Sequence, residues 1–270
     1  MKHETLFNDE RISKIGFGTW RIGGASMPNH SLDERSLSAL RSALELGYTH
    51  FDTAEMYGGG HSEELLGQAV HETRAKRETL FITTKVTPSH LRFNDVLRCC
   101  ENSLRRLQMD FLDLYLIHWA SATIPLEETF RALNQLVAQG KVRHLGVSNF
   151  DVAELKKSQA LSATPIITNQ VPYSLFDHSY VKNGVLEYCQ AHNILVTAYS
   201  PIKEGRIKVS PRLQTVAQAH NATPYQIALA WLVNQPKVIT IPMSFDPQHQ
   251  AENLAATDIE LTEAEMDSLC

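Results

Sequence analysis

Short apolar runs rich in β-branched and aromatic residues alternate along this chain with longer segments whose apolar positions recur at helical spacing. The runs fall at 14–17, 48–51, 80–84, 112–117, 144–147, 166–169, 195–199 and 238–241. Helical patterns follow at 33–46, 62–71, 94–107, 126–138, 152–160, 179–192, 211–220 with 224–233, and from Pro247 onward, with a last segment at 261–269. Asp33, Ser62, Asn94 and Thr223-Pro224 supply start signals, and Gly47 and Gly140 stand where helices should stop. Strands separated by helices pair in parallel through right-handed crossovers. Eight such units over this length predict the α/β class and a closed (β/α)8 TIM barrel. An open doubly wound sheet is the main rival; it is weakened because Gly16-x-Gly18 is followed by Arg21 where a third glycine would stand. Ahead of the first strand, Leu6-Phe7 and Arg11-Ile12 flank Asn8-Asp9-Glu10, which predicts a short N-terminal β-hairpin outside the barrel. No linker composition divides the chain, so residues 1–270 are expected to form a single domain.

Composition narrows the function classes more than the fold. Lys plus Arg number 25 against 30 Asp plus Glu, a net charge of −5, which argues against a nucleic-acid footprint. No apolar run is long enough for a membrane helix, and Met1–Thr5 has no apolar core of the kind a secretory leader needs. Cys99, Cys100, Cys189 and Cys270 form neither a disulfide framework nor a zinc spacing, so reduced thiols in a cytoplasm are expected. There is no HExxH among the twelve histidines, and no metal is expected.

In a barrel enzyme the chemistry sits at the C-terminal ends of the strands. Those ends carry Asp52-Thr53 with Tyr57 beyond, then Thr84-Lys85, His118-Trp119, Ser148-Asn149, Asn169-Gln170, Tyr199-Ser200-Pro201 and Pro242-Met243-Ser244. Tyr, Lys, Asp and His around one mouth can protonate an oxygen: a nearby Lys⁺ favours phenolate, Asp fixes the Lys, and His orients a carbonyl or shares the proton. Taken singly, each has a plainer reading. Asp52 and Lys85 also read as an ordinary ion pair, Tyr57 as a loop aromatic beside Gly58-Gly59-Gly60, His118 as a core histidine, and Trp20 and Trp119 as packing residues.

The strings Gly16-Phe17-Gly18-Thr19-Trp20, Phe51-Asp52-Thr53-Ala54-Glu55-Met56-Tyr57-Gly58, Thr83-Thr84-Lys85, Leu116-Ile117-His118-Trp119, Gly146-Val147-Ser148-Asn149-Phe150, Asn169-Gln170, Ala198-Tyr199-Ser200-Pro201 and Ile241-Pro242-x-Ser244 occur in order. Together they resemble the aldo-keto reductases, NAD(P)H-dependent oxidoreductases on a (β/α)8 barrel. The resemblance implies a reversible reduction of aldehydes or ketones. In it Tyr57 is the general acid, Lys85 and Asp52 depress its pKa, and His118 orients the carbonyl. It implies that Ser148, Asn149 and Gln170 hold the nicotinamide carboxamide, that Tyr199 stacks on the ring, and that Ser200, Pro201 and Ile202 run along the pyrophosphate. Thr19, Trp20, Asp52, Ile241, Phe245, Glu252 and Asn253 complete the expected cofactor surface. Trp20, Tyr57, His118 and Trp119 wall the expected substrate pocket.

At the adenosine end the chain departs from that pattern. Met243 and His249 replace the Lys and Arg that grip the 2′-phosphate of NADPH in the family, and Asp246 adds a carboxylate, while Ser244, Glu252 and Asn253 remain. A phosphate needs cations or free amides, so the expectation is relaxed choice between NADP(H) and NAD(H), leaning to NADH. Asp246 reads equally as a helix N-cap. Only 202–210 separate the seventh strand from its helix, and the chain stops soon after 261–269, so an open, poorly selective mouth for small carbonyl substrates is expected. Rival readings are a non-catalytic nucleotide-sensing module like potassium-channel β subunits, and a Schiff-base aldolase using Lys85. The complete Asp52, Tyr57, Lys85 and His118 set argues against the first, and Ser148, Asn149 and Tyr199 against the second. A monomer without nucleic-acid or membrane partners completes the expectation.

Overall fold

A computed structural model describes residues 2–269. Eight strands form one parallel sheet in sequence order: β3 Phe17–Gly18, β4 His50–Asp52, β5 Phe81–Val86, β6 Leu112–Ile117, β7 Val142–Ser148, β8 Ile166–Pro172, β9 Leu195–Tyr199 and β10 Val238–Thr240. The sheet closes on itself through a parallel bridge between Ile15 and Thr240. The Gly16 and Gly18 amides donate to Thr240 O (2.8 Å) and Pro242 O (3.2 Å), and Thr240 donates to Lys14 O (2.8 Å). Gly18 is obligatory at this seam, because a Cβ there would lie 2.6 Å from the Ile241 carbonyl oxygen. The expected hairpin, β1 His3–Thr5 against β2 Arg11–Ser13, is antiparallel.

Period-two alternation sorts the strand residues. Leu114, Leu116, Ile167, Leu195 and Ile239 cluster with Phe81 and with Leu6 and Ile12 of the hairpin segment, which closes the N-terminal end of the barrel. A larger apolar cluster fills the layer between sheet and helices. Helices α1 Asp33–Glu45, α2 His61–Thr73, α3 Phe93–Leu107, α4 Leu126–Ala138, α5 Val152–Leu161, α6 Ser179–Lys182, α7 Val185–Ala191, α8 Pro211–Ala219, α9 Pro224–Val233, α10 Pro247–Ala255 and α11 Glu263–Leu269 provide the outer ring. None is long and apolar enough to cross a membrane.

Several local expectations are corrected. The helix expected at 179–192 breaks at Gly184, whose φ of 74° lies in the left-handed region. Asp33 is the first helical residue rather than the cap, and its carboxylate takes His61 and His30 instead of a backbone amide. Gly60 and Arg92 precede α2 and α3, so Ser62 and Asn94 are not caps. Thr223 and Asp246 do cap α9 and α10 through their side chains.

Candidate active site

The residues two positions beyond the mid-barrel layer converge at the C-terminal mouth. His50 leads to Asp52, Thr83 to Lys85, Leu116 to His118, Thr168 to Gln170 and Thr197 to Tyr199. Tyr57 arrives from the turn after β4. It is followed by three glycines with φ of 57°, 61° and 98°, a left-handed run that side-chain-bearing residues resist, and the chain then enters α2 at once. A Cβ on Gly60 would meet Arg106 at 2.6 Å. Arg21, Asn149 and Ser200 also hold positive φ values at strand ends around the mouth. Backbone held in this way is concentrated at functional sites.

Lys85 is wholly buried and organises the cluster. Its Nζ donates to Asp52 Oδ1 at 2.5 Å, to Thr53 O at 2.7 Å and to Tyr57 Oη at 3.3 Å. Gln170 Nε2 donates to Asp52 Oδ2 at 2.7 Å, so both carboxylate oxygens are satisfied. Burial alone would lower the Lys85 pKa, but Asp52 and Tyr57 hold it above the ordinary lysine value. Burial raises the Asp52 carboxyl, with Lys85 acting against it. Burial also raises the Tyr57 phenol above its ordinary value, Lys85 pulls it down and Asp52 pushes it up again. This corrects the expected depression: with Asp52 neutralising Lys85, desolvation sets the direction. His118 is lowered to about 2, first by burial and then by the Lys85 charge, so it is a neutral imidazole and not a proton source. Its Nδ1 is buried without a hydrogen-bond partner. Tyr57 meets Trp20 and His118 edge to face, with ring centroids 5.1 and 5.8 Å away, and Trp119 stacks on His118 at 4.1 Å.

From this cluster a cleft of about 680 Å³ runs to the start of α10. Expected residues lining it are Thr19, Trp20, Asp52, Tyr57, His118, Trp119, Gln170, Tyr199, Ser200, Pro201, Ile202, Ile241, Met243, Ser244, Phe245, Asp246 and His249. Lys85 lies beneath the floor. Ser148, Asn149, Glu252 and Asn253 do not line the cleft. Ser148 Oγ donates to Gln170 O (2.9 Å), and Asn149 Nδ2 donates to His118 O (3.2 Å) and to Ser148 Oγ (2.9 Å). Tyr199, raised to about 12 by burial, donates its hydroxyl to Asn149 Oδ1 at 2.9 Å.

Arg21, Arg35, Met56 and Glu204 also line the cleft, and the sequence reading missed them. Glu204, in the short segment after β9, meets Arg21 at 2.8 Å, so two facing loops are joined. Arg35, on α1, lays its guanidinium over the Phe245 ring at 4.3 Å and pairs with no described carboxylate. Asp246 Oδ1 is occupied by the Gln248 amide at 2.8 Å. Arg35 lies about two hundred residues from the segment it joins, which no local spacing rule could reach.

Comparison with known proteins agrees with this geometry. The family model described as "Aldo/keto reductase family" matches residues 14–269. Methylglyoxal reductase YeaE of Escherichia coli (strain K12) is 37% identical, covering 96% of this chain and 90% of that protein. Glyoxal reductase of Bacillus subtilis (strain 168) is 33% identical, covering 98% and 90%. The crystal structure of the thermostable aldo-keto reductase Tm1743 with the inhibitor epalrestat superposes with a TM-score of 0.95 at 46% identity, covering 100% of this chain and 98% of that one. An aldo-keto reductase from Klebsiella pneumoniae in complex with NADPH gives 0.88 at 37% identity, covering 100% and 94%. The chain belongs to the aldo/keto reductase family of NAD(P)H-dependent oxidoreductases.

Proposed function

We propose that this chain, as one barrel domain, reduces small aldehydes and α-dicarbonyls to alcohols with Tyr57 as general acid. The observation that carries the reading is the Asp52–Lys85–Tyr57 chain, which starts in the buried floor and ends on a phenol facing the cleft. The dicarbonyl class is supported by the methylglyoxal and glyoxal reductases among the relatives. The nicotinamide, when bound, supplies hydride to the carbonyl carbon. The protein's part is to place the carbonyl oxygen between Tyr57 and His118, and to deliver one proton from Tyr57 Oη as the oxygen becomes alkoxide. An alkoxide is far more basic than a phenolate, so a phenol above its usual pKa is still acid enough. Lys85 stabilises the phenolate that remains. Neutral His118 donates a hydrogen bond and orients the oxygen, and the Trp20 and Trp119 rings keep water from the reacting face.

The orphaned His118 Nδ1 and the wall formed by Tyr199 fit a dinucleotide laid along the cleft. Gln170, which lines the cleft, would position the carboxamide end, with Ser148 and Asn149 bracing Gln170, His118 and Tyr199. At the adenosine end the missing cations at 243 and 249 favour relaxed nucleotide choice. The Asp246 carboxylate, already capping α10, is a weak ribose ligand, and Arg35 supplies a cation for a 2′-phosphate. Both NADH and NADPH are expected to serve. The buried free thiols Cys99, Cys100 and Cys189 suit a reducing compartment such as the cytoplasm, and the working unit proposed is the single chain.

The test follows nucleotide absorbance with methylglyoxal and short aldehydes, for the parent and for Tyr57→Phe. Turnover in the parent that is lost in the variant supports the proposal. Nucleotide binding without turnover in the parent overturns it in favour of the sensing module.

A further inference from the structure

Away from the cleft, three metal-ligating side chains converge between the loops after β4 and β5 and the inner face of α3. His90 Nδ1 lies 3.0 Å from Glu55 Oε1 and 3.4 Å from Cys99 Sγ. The ligand atoms of all three lie within 4.8 Å of one another. Cys99 is buried, Glu55 is partly buried with its side chain 9% exposed, and the His90 side chain, 41% exposed, opens the cluster to solvent. Nearby the Tyr115 hydroxyl is buried with no hydrogen-bond partner, and burial first, then the charges of Cys100, Glu55 and Cys99, push its phenol well above the ordinary value. A buried hydroxyl left unsatisfied beside a ligand set is an independent sign that a polar occupant is missing.

The spacing suits one ion. Zinc bonds of about 2.3 Å to sulfur and about 2.0–2.1 Å to nitrogen and oxygen, at tetrahedral angles, give ligand–ligand edges of about 3.3–3.6 Å. The two edges to His90 are 3.0 and 3.4 Å, within a few tenths of an ångström of those lengths, and the third lies within 4.8 Å. Thiolate, imidazole and carboxylate are a donor set for a borderline-soft divalent cation rather than for magnesium or calcium. Three protein ligands leave a fourth position for water on the exposed His90 side.

We propose that Glu55, His90 and Cys99 bind a zinc-class divalent cation. The Cys99 S–H bond breaks as the sulfur–metal bond forms, and its proton leaves to solvent. His90 binds through Nδ1 with its ring proton on Nε2, and Glu55 binds through its carboxylate. Two anionic ligands then neutralise a dication, which burial tolerates. The site also touches the machinery of the mouth. Glu55 donates its amide to Lys85 O at 3.3 Å and accepts from the Thr87 amide at 2.7 Å, and it lies two residues before Tyr57. An ion there ties together the strand ends that carry Tyr57 and Lys85. Because the ligands come from positions 55, 90 and 99, no compact metal spacing exists in the sequence to announce them.

The experiment needs no assumption about the reaction. The full chain, stripped with chelator, is titrated with Co²⁺, and its thiolate-to-cobalt absorption is followed. Zn²⁺ is added in parallel during thermal unfolding. One equivalent of Co²⁺ should produce the thiolate band, and Zn²⁺ should raise the melting temperature, since a ligand of the native state alone stabilises it. Cys99→Ser should abolish the band, and Cys100→Ser should keep it. His90→Ala, at a partly exposed position, should fold with an unchanged metal-free melting temperature and bind at least about tenfold more weakly. Absence of the band in the parent, its survival in Cys99→Ser, or unchanged affinity in His90→Ala would each overturn the proposal.

Discussion

Two buried aspartates show how similar ion pairs diverge in purpose. Asp113, near the N-terminal end of β6, is fully buried and takes Arg77 Nη2 at 2.5 Å, the Ile82 amide at 2.8 Å and Arg143 Nη1 at 3.1 Å. Arg77 goes on to the carbonyls of Leu80 and Phe111, both at 2.9 Å, so that network ends in backbone. Asp52, at the opposite end of the barrel, is equally buried and also raised by burial with a cation acting against it. Its cation, however, spends one bond on Tyr57 Oη, a titratable group on the cleft. The lesson is that burial and charge pairing do not distinguish a structural pair from a working one. What distinguishes them is where the last hydrogen bond leads.

The comparison makes its largest demand at Tyr57. Removing that hydroxyl in Tyr57→Phe should cut kcat by about 10²–10⁴-fold, the usual span for a general acid. Nucleotide affinity, read by fluorescence titration, should not change. A fall of less than about tenfold would put the working pair elsewhere. The cations come next. Lys85→Met leaves the buried Asp52 carboxylate with Gln170 but no cation, and Arg77→Met leaves Asp113 with only Arg143 and the Ile82 amide, so urea unfolding should show both losing stability, by up to about 3–5 kcal/mol. Turnover per folded molecule should collapse only in Lys85→Met. Equal loss of turnover in both would erase the distinction.

Arg35→Ala probes the far end of the cleft, where an exposed charge-assisted contact should be worth about tenfold in KM for NADPH and nothing for NADH. Titration with 2′,5′-ADP against 5′-AMP checks the same contact without turnover. The smallest effect is in pH. With Tyr57 as the proposed general acid, reduction needs it protonated, so the rate is complete below the phenol pKa and is lost as pH rises through it. Because burial sets that value above the ordinary tyrosine value of about 10, kcat should be flat through neutrality and fall only in the alkaline range. His118, lowered to about 2, should add no acid limb near neutrality. A neutral-range inflection would mean that a histidine titrates after all.

The barrel and the floor of its mouth were legible because both rest on local pattern. Short apolar runs located the eight strands, and the residues at or just past their ends named Asp52, Lys85, His118, Gln170 and Tyr199. What escaped depends on distance. Arg35 reaches Phe245 from another helix, Glu204 reaches Arg21 from another loop, and the sign of the Tyr57 shift depends on how completely it is buried. Gly184 escaped for a different reason: the apolar periodicity continues through it, and only the backbone angle reveals the break.

The seam at Ile15 and Thr240 also bears on timing. The strands carrying Asp52, Lys85 and His118 precede the one that completes the ring, so during synthesis they belong to an open sheet with two bare edges. Such edges attract other strands, and pairing across so long a stretch of chain is slow. The cleft wall contributed by Ile241 to Phe245 hangs from that last strand. Until that strand joins, Asp52, Lys85 and His118 have no closed cleft beside them. Gly18, by letting the Ile241 carbonyl approach, acts as the latch that converts a sticky ribbon into an enzyme in one late step.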